Sequence, residues 1–285
     1  MVDLLSILIT GAMVSAVYAL IAIGFTMIFG VGGVLNLAHG GLLMIGAYVF
    51  LAATSRIPPV VAFVASVGVA AVVSYAMYLG LIRYIEKDVV ITFLATLLIA
   101  LLFQELVTMT FSAQPRSLAT LVPGTVQIAG TRIRYNQIFG FVVSWVAIGA
   151  LWYYVTRTGS GRAILATSMS ERGAMLTGVD ISRVRAETWL IAGALAGVGG
   201  VFLGSLQTTS PFMWLDPLAL AFIIVVIGGV GSIKGSIVGA YLIGYLETLT
   251  VSLAGNGVRG VFALVVVALI ILFRPQGLYG REFIE

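Results

Sequence analysis

The fold turns on residues 4–53, which read LLSILITGAMVSAVYALIAIGFTMIF (4–29), GVGGVLNLAHGG (30–41) and LLMIGAYVFLAA (42–53). The first piece carries no charge and exceeds the about 20 apolar residues that cross a bilayer core as a helix, the form in which every backbone group is bonded within the segment. It is also longer than the about 7 to 15 residues of a signal-peptide core, and Asp3 rather than Lys or Arg precedes it, so it reads as a retained helix. The last piece is long enough to span only if it begins near Leu35, across Asn36 and His39. The four glycines and two polar side chains of 32–41 predict a broken helix, tolerable at membrane depth only where its loosened backbone lines a cavity or is buried in protein.

Outward from this stretch the apolar pattern repeats at 58–82, 89–111, 138–155, 188–208, 218–230, 237–254 and 260–273. The expected fold is all-α: one polytopic transmembrane helix bundle over 1–285, with about eight spans and broken or re-entrant glycine-rich segments. Composition agrees, since 60% of the residues are hydrophobic and 9% charged, against about 25% charged in a soluble domain. A net charge of +4 carried in short loops speaks for orientation rather than for nucleic-acid binding. With no cysteine, disulfides, thiolate nucleophiles and Cys-ligated metals are excluded. One histidine, no His-Glu-x-x-His pattern, no carboxylates paired on one face and no serine-centred elbow argue against an enzyme.

Orientation follows from Lys and Arg. Arg83, Lys87, Arg157, Arg162, Arg172, Arg183, Arg185, Lys234, Arg274 and Arg281 fall on one side, against Arg56, Arg116, Arg132, Arg134 and Arg259 on the other. The positive-inside rule puts the C-terminus in the cytoplasm and the N-terminus outside. Loop 112–137 is then extracytoplasmic, and its alternation around Gly130 predicts a small hairpin or an extended lid. Loop 157–185 is cytoplasmic: the Gly159-Ser160-Gly161 break precedes a short helix, and Ser170 caps a second that ends at Gly178.

Polar groups within apolar runs are the candidates for a translocation path. Asn36 and His39 come first. Glu247 lies ten residues, about 15 Å, into the run from 237, at mid-membrane depth, while Glu105 beside Gln104 lies near the outer end of its span. Ser232 closes a second glycine-rich segment, Gly228-Gly229-Val230-Gly231-Ser232, which lacks the preceding strand and Gly-Lys-Ser/Thr ending of a phosphate-binding loop. Gly32-Gly33-Val34 ahead of Gly46-Ala47-Tyr48 is echoed by Gly228-Gly229-Val230 ahead of Gly239-Ala240-Tyr241, and short interrupted segments in two halves point to a binding path. Ala192, Ala196, Gly200 and Gly204, spaced by four, predict a flat face for close helix packing.

Taken together, residues 32–40, the loop from Gly161-Arg162-Ala163 to Gly178-Val179-Asp180-Ile181, residues 228–232 and the tail Leu272-Phe-Arg-Pro-Gln-Gly-Leu278 resemble the branched-chain amino acid ABC transporter permease family over nearly the whole chain, in its shorter, high-affinity type. The resemblance implies an importer in a prokaryotic inner membrane. Its expected partners are a second related permease, two cytoplasmic ATPase subunits that bind the ATP and Mg, and an extracytoplasmic binding protein, with no cofactor in this chain. Many such permeases carry Glu-Ala-Ala with Gly three residues later in the coupling loop. Here Ser170, Glu171, Arg172, Gly173, Ala174 and Gly178 occupy that place, with Arg172-Gly173-Ala174 as the aligned triplet. Leucine, isoleucine and valine are the expected substrates, with urea or short amides as the alternative within the family and an autonomous ion-coupled carrier as the alternative outside it.

Overall fold

The structure, a computed structural model, describes residues 4–128, 131–255, 258, 260–274 and 276–279. Its elements are α1 (Leu4–Gly32), α2 (Ala38–Ala53), α3 (Pro59–Met77), which runs through a π-helical turn at Tyr78–Ile82 into the single turn α4 (Arg83–Ile85), then α5 (Val89–Phe111), strands β1 (Thr125–Ile128) and β2 (Thr131–Arg134), α6 (Tyr135–Arg157), α7 (Gly159–Met169), α8 (Glu171–Leu176), α9 (Ile181–Leu206), α10 (Leu215–Gly228), α11 (Ile233–Ala254) and α12 (Val261–Phe273). Six of these, α1, α3 with its extension, α5, α6, α9 and α11, are long and apolar enough to cross a membrane, and α2, α10 and α12 are apolar but shorter. The chain is therefore an all-α polytopic bundle.

Local chemistry starts several of the helices. Asp88 accepts the N–H groups of Val90 and Ile91 to cap α5, Asp180 accepts that of Arg183 to cap α9, and Pro59 opens α3. β1 and β2 form the hairpin, antiparallel with Thr125 opposite Arg134 and Ile128 opposite Thr131; the expected turn glycine, Gly130, lies outside the described residues. The hairpin marks one end of the bundle and α8 the other. Arg83, Lys87, Arg157, Arg162, Arg172, Arg183, Arg185, Lys234 and Arg274 gather at the α8 end, whereas Arg56, Arg116, Arg132 and Arg134 lie at the hairpin end; Arg259 and Arg281 are outside the described residues.

α1 is the axis, buried almost continuously from Ser15 to Ile28. α11 lies along it through small residues and a hydroxyl pair, Thr26 Oγ1 and Ser236 Oγ at 2.5 Å, the means by which helices associate in lipid, where burial of apolar surface supplies no drive. The small-residue face of α9 is used as its spacing predicts. A Cβ on Gly46 of α2 would come within 2.8 Å of Gly197 Cα, so α2 and α9 touch backbone to backbone, and Ser74 of α3 donates to Trp189 O at 2.6 Å.

Three boundaries differ from expectation. Gly159, Ser160 and Gly161 are the first turn of α7 and not a break before it, because Thr158 Oγ1 accepts the Gly161 N–H at 3.0 Å and starts the helix there. α10 covers Leu215–Gly228 where the apolar run is 218–230, and residues 229–232 turn the chain into α11, with Gly229 and Gly231 at φ 97° and 79°, a region open to glycine. α11 then starts four residues before the apolar run does, at Ile233, because Ser232 caps it.

Candidate functional site

At 16 and 14 residues, α2 and α10 are about 24 and 21 Å long, short of a bilayer core of about 30 Å. Both begin in the middle of the bundle. From the end of α1 the chain turns at Gly33 (φ 62°) and runs back along α1 as far as His39, whose Nε2 lies 3.1 Å from Ile21 O, eleven residues or about 16 Å of helix before Gly32. The next turn of α2 lies against the midpoint of α5: a Cβ on Gly41 would stand 3.5 Å from Ala100 Cα, and Ala100 is the twelfth of the 23 residues of α5. α10 starts at the same level, since a Cβ on Gly40 would stand 2.5 Å from Trp214 O. The Trp214 indole N–H donates to Gln104 Oε1 of α5 at 2.7 Å and fixes that level a second time. Two short helices thus present their N-termini, the positive ends of their dipoles, near the centre of the bundle.

The break before α2 is held by tertiary contacts. Thr96 Oγ1 of α5 accepts the Leu37 N–H at 3.2 Å, and its proton is shared between Phe93 O at 2.9 Å and Leu35 O at 3.4 Å. No side chain caps α2. A carbonyl can only accept, so the His39 proton sits on Nε2 and Nδ1 is left as an acceptor. His39 and Asn36 are 0% and 1% exposed, yet Nδ1 and both amide atoms of Asn36 have no hydrogen-bond partner among the described residues. Such groups cost about 1–3 kcal/mol each when buried, so this arrangement is expensive and calls for a reason.

The other path candidates do not converge on this point. Ser232 lies at the α8 end, where it accepts the Gly235 N–H and caps α11. Just outside the echoed glycine segments the two chain turns approach closely there: a Cβ on Gly30 would lie 3.0 Å from Gly231 Cα. Glu247 is buried on α11, but that helix starts early, so the residue lies fourteen residues or about 21 Å along it, toward the hairpin end and past the expected mid-depth. Glu105 is exposed on α5, with Leu101, Leu102 and Leu106 around it. The sequence reading passed over Asp216. This carboxylate sits exposed in the first turn of α10, hence near mid-bundle, on a face shared with Leu215, Ala219 and Phe222. An acidic residue opening a helix too short to span was the signal available for it.

At the α8 end the expected small helix is present. Ser170 Oγ accepts the Gly173 N–H at 3.0 Å, Glu171 lies in the first turn and Gly178 turns the chain at φ 83°. Of the residues expected in the coupling contact, Ala174 does not face outward. Ala174 is buried against the chain, while Met175 and Leu176 are 52% and 82% exposed and Arg172 is exposed beside them. An apolar pair held out at the end of the bundle is what a partner protein would cover.

Comparison with known proteins agrees with this architecture. The profile of the family described as branched-chain amino acid transport system / permease component matches residues 7–274. The chain is 31% identical to the high-affinity branched-chain amino acid transport system permease protein BraD of Pseudomonas aeruginosa, over 98% of this chain and 96% of that one. It is 28% identical to the corresponding permease LivH of Escherichia coli K12, over 96% and 95%. The ribose import permease protein RbsC of Bacillus subtilis is also similar, at 28% over 90% and 80%. No solved structure matches. The match along nearly all of its length, with a bundle of apolar helices to carry it, places this chain in the family of permease components of branched-chain amino acid transport systems.

Proposed function

We propose that the chain is the membrane-spanning permease subunit of an ATP-binding-cassette importer that carries leucine, isoleucine and valine into the cytoplasm. The observation that carries this reading is the family match over residues 7–274, joined to two helices too short to span that start at one level in the bundle. The positive ends of α2 and α10 suit the carboxylate of an amino acid, and the exposed Asp216 suits its ammonium group. The Asn36 amide and His39 Nδ1, buried and unmatched here, are the groups that a path opening at the break would wet. The basic α8 end is cytoplasmic by the positive-inside rule, the hairpin is extracytoplasmic, and the membrane is a prokaryotic inner membrane. ATP and Mg belong to two ATPase subunits that grip Arg172, Met175 and Leu176 at α8. A second related permease completes the pore, and a binding protein delivers substrate at the hairpin end. Sugar permeases among the relatives make the substrate the finer part of this proposal.

Purification of the native complex and its reconstitution into proteoliposomes with labelled leucine test it. Expected are co-purifying ATPase subunits and leucine uptake that requires ATP and is displaced by valine but not by urea or ribose. Uptake by this chain alone, driven by an ion gradient, overturns the reading. Orientation is read separately from a cysteine at Ser117, placed in a chain that has none, which should react with an impermeant reagent in intact cells.

A further inference from the structure

One charged cluster takes no part in the path. Arg185, in the first turns of α9, donates from Nη1 to Glu86 Oε1 at 2.7 Å and from Nη2 to Glu171 Oε2 at 2.8 Å. Glu86 follows α4 at the end of the π-helical turn that closes α3, and Glu171 is the first residue of α8. One guanidinium therefore joins three segments: the surface helix α8, the membrane helix α9 and the π-turn. Wide turns of this kind recur at functional positions in helices. The cluster does adjoin the chain entering the α1–α2 break, because Arg185, Glu86 and Ile82 line a small cavity whose other wall is Val31, Gly32 and Val34.

The two halves of the fork differ. The Arg185 and Glu86 side chains are 14% and 16% exposed, so removing Arg185 would leave the largely buried Glu86 charge unmatched. Glu171 is 44% exposed, its pair with Arg185 is screened by water, and such pairs open at little cost. Arg185 Nε has no partner among the described residues, so the fork keeps a donor free for another arrangement.

We infer that Arg185 is a positioning residue for transport, and that its bond to Glu171 is a latch that is closed in this structure and opens when α8 moves, while its bond to Glu86 remains. Movement of α8 then changes the load on the π-turn and on the wall of the break without any contact between α8 and the path. The latch supplies what coupling requires, a contact that differs between two states. It rests on the reading of α8 as the ATPase contact.

The test uses the complete transporter in proteoliposomes, with leucine as substrate. Glu171→Gln, which keeps the size of the side chain and the Ser170 cap, should still assemble, and leucine taken up per ATP hydrolysed should fall about fivefold or more. Glu171→Asp should recover part of that ratio. The absence of native cysteine allows a second readout: Glu171→Cys with Arg185→Cys, bridged by a short bifunctional thiol reagent, should cross-link in the nucleotide-free complex and about fivefold less when the ATPases are trapped with a non-hydrolysable ATP analogue. Unchanged coupling in Glu171→Gln, or equal cross-linking in both states, overturns the latch. Failure of the wild-type chain to co-purify with ATPases overturns instead the reading on which it rests, so the two failures are distinct.

Discussion

Helices α8 and α2 each begin just after a break in the chain, one at an end of the bundle and the other near its centre. α8 is started by its own neighbours in sequence: Ser170 caps it, Glu171 favours its positive end and Gly178 closes it four residues after Ala174. α2 has Leu37 at the capping position and no side chain to cap it, and the adjoining backbone is held by Thr96, 59 residues away. A helix with local caps keeps its shape when it is moved as a unit. One that depends on a distant helix has a start that shifts whenever the bundle does. The first suits a lever and the second a gate.

Substitutions at the two starts should separate these roles. The largest effect is expected from Gly40→Val, because its Cβ would meet Trp214 O at 2.5 Å; overpacking there should destabilise the chain by about 3 kcal/mol, read as a lower Tm in detergent, and abolish uptake. Asn36→Leu should act in the opposite sense on stability, raising it by about 1–2 kcal/mol by removing a buried unmatched amide, while leucine uptake falls. A stabilised variant with full uptake would sever Asn36 from the path. Ser170→Ala should cost about 1 kcal/mol, confined to α8 and visible as faster amide exchange over 171–176 with no change in the exchange of α2. If α2 responded as well, the two starts would not be independent. Leu176→Asp, on an exposed side chain, should change stability by less than about 0.5 kcal/mol yet reduce co-purification of the ATPase subunits.

What the sequence made legible was local. Caps and turns are written within a few residues, so the α8 helix with Ser170 and Gly178, the hairpin before Arg134, and the break between 32 and 41 all sit where the spacing puts them. Small residues every four positions were equally readable in α9, since close packing demands them whatever the partner. Depth was not legible. That α2 and α10 start at one level depends on Gly40 meeting Trp214, 174 residues on, and no pattern inside either segment announces the other. Glu247 shifted by several ångströms of helix because one cap, Ser232, moved the start of α11. Ala174 was placed in the coupling contact by its alignment with a family triplet, which does not tell an outward face from an inward one; its small side chain lets α8 lie against its own chain. Arg185 was counted as one of many orientation charges, and its two carboxylate partners come from positions 86 and 171, which only folding brings together.

The tail beyond α12 bears on how the chain is made. Leu278 donates its N–H to Ile227 O at 2.8 Å and Tyr279 donates to Gly228 O at 3.0 Å, so the last carbonyls of α10 are satisfied by residues translated some fifty positions later. A fourteen-residue helix is too short to settle across a bilayer by itself, where about 20 apolar residues are needed, and during synthesis this one also ends in bare carbonyls. α10 therefore acquires its final position only after α11 and α12 have followed it. Nascent chains paused before residue 278 should leave α10 accessible to protease, and release of the finished tail should protect it, which makes the docking of α10 the closing act of membrane insertion.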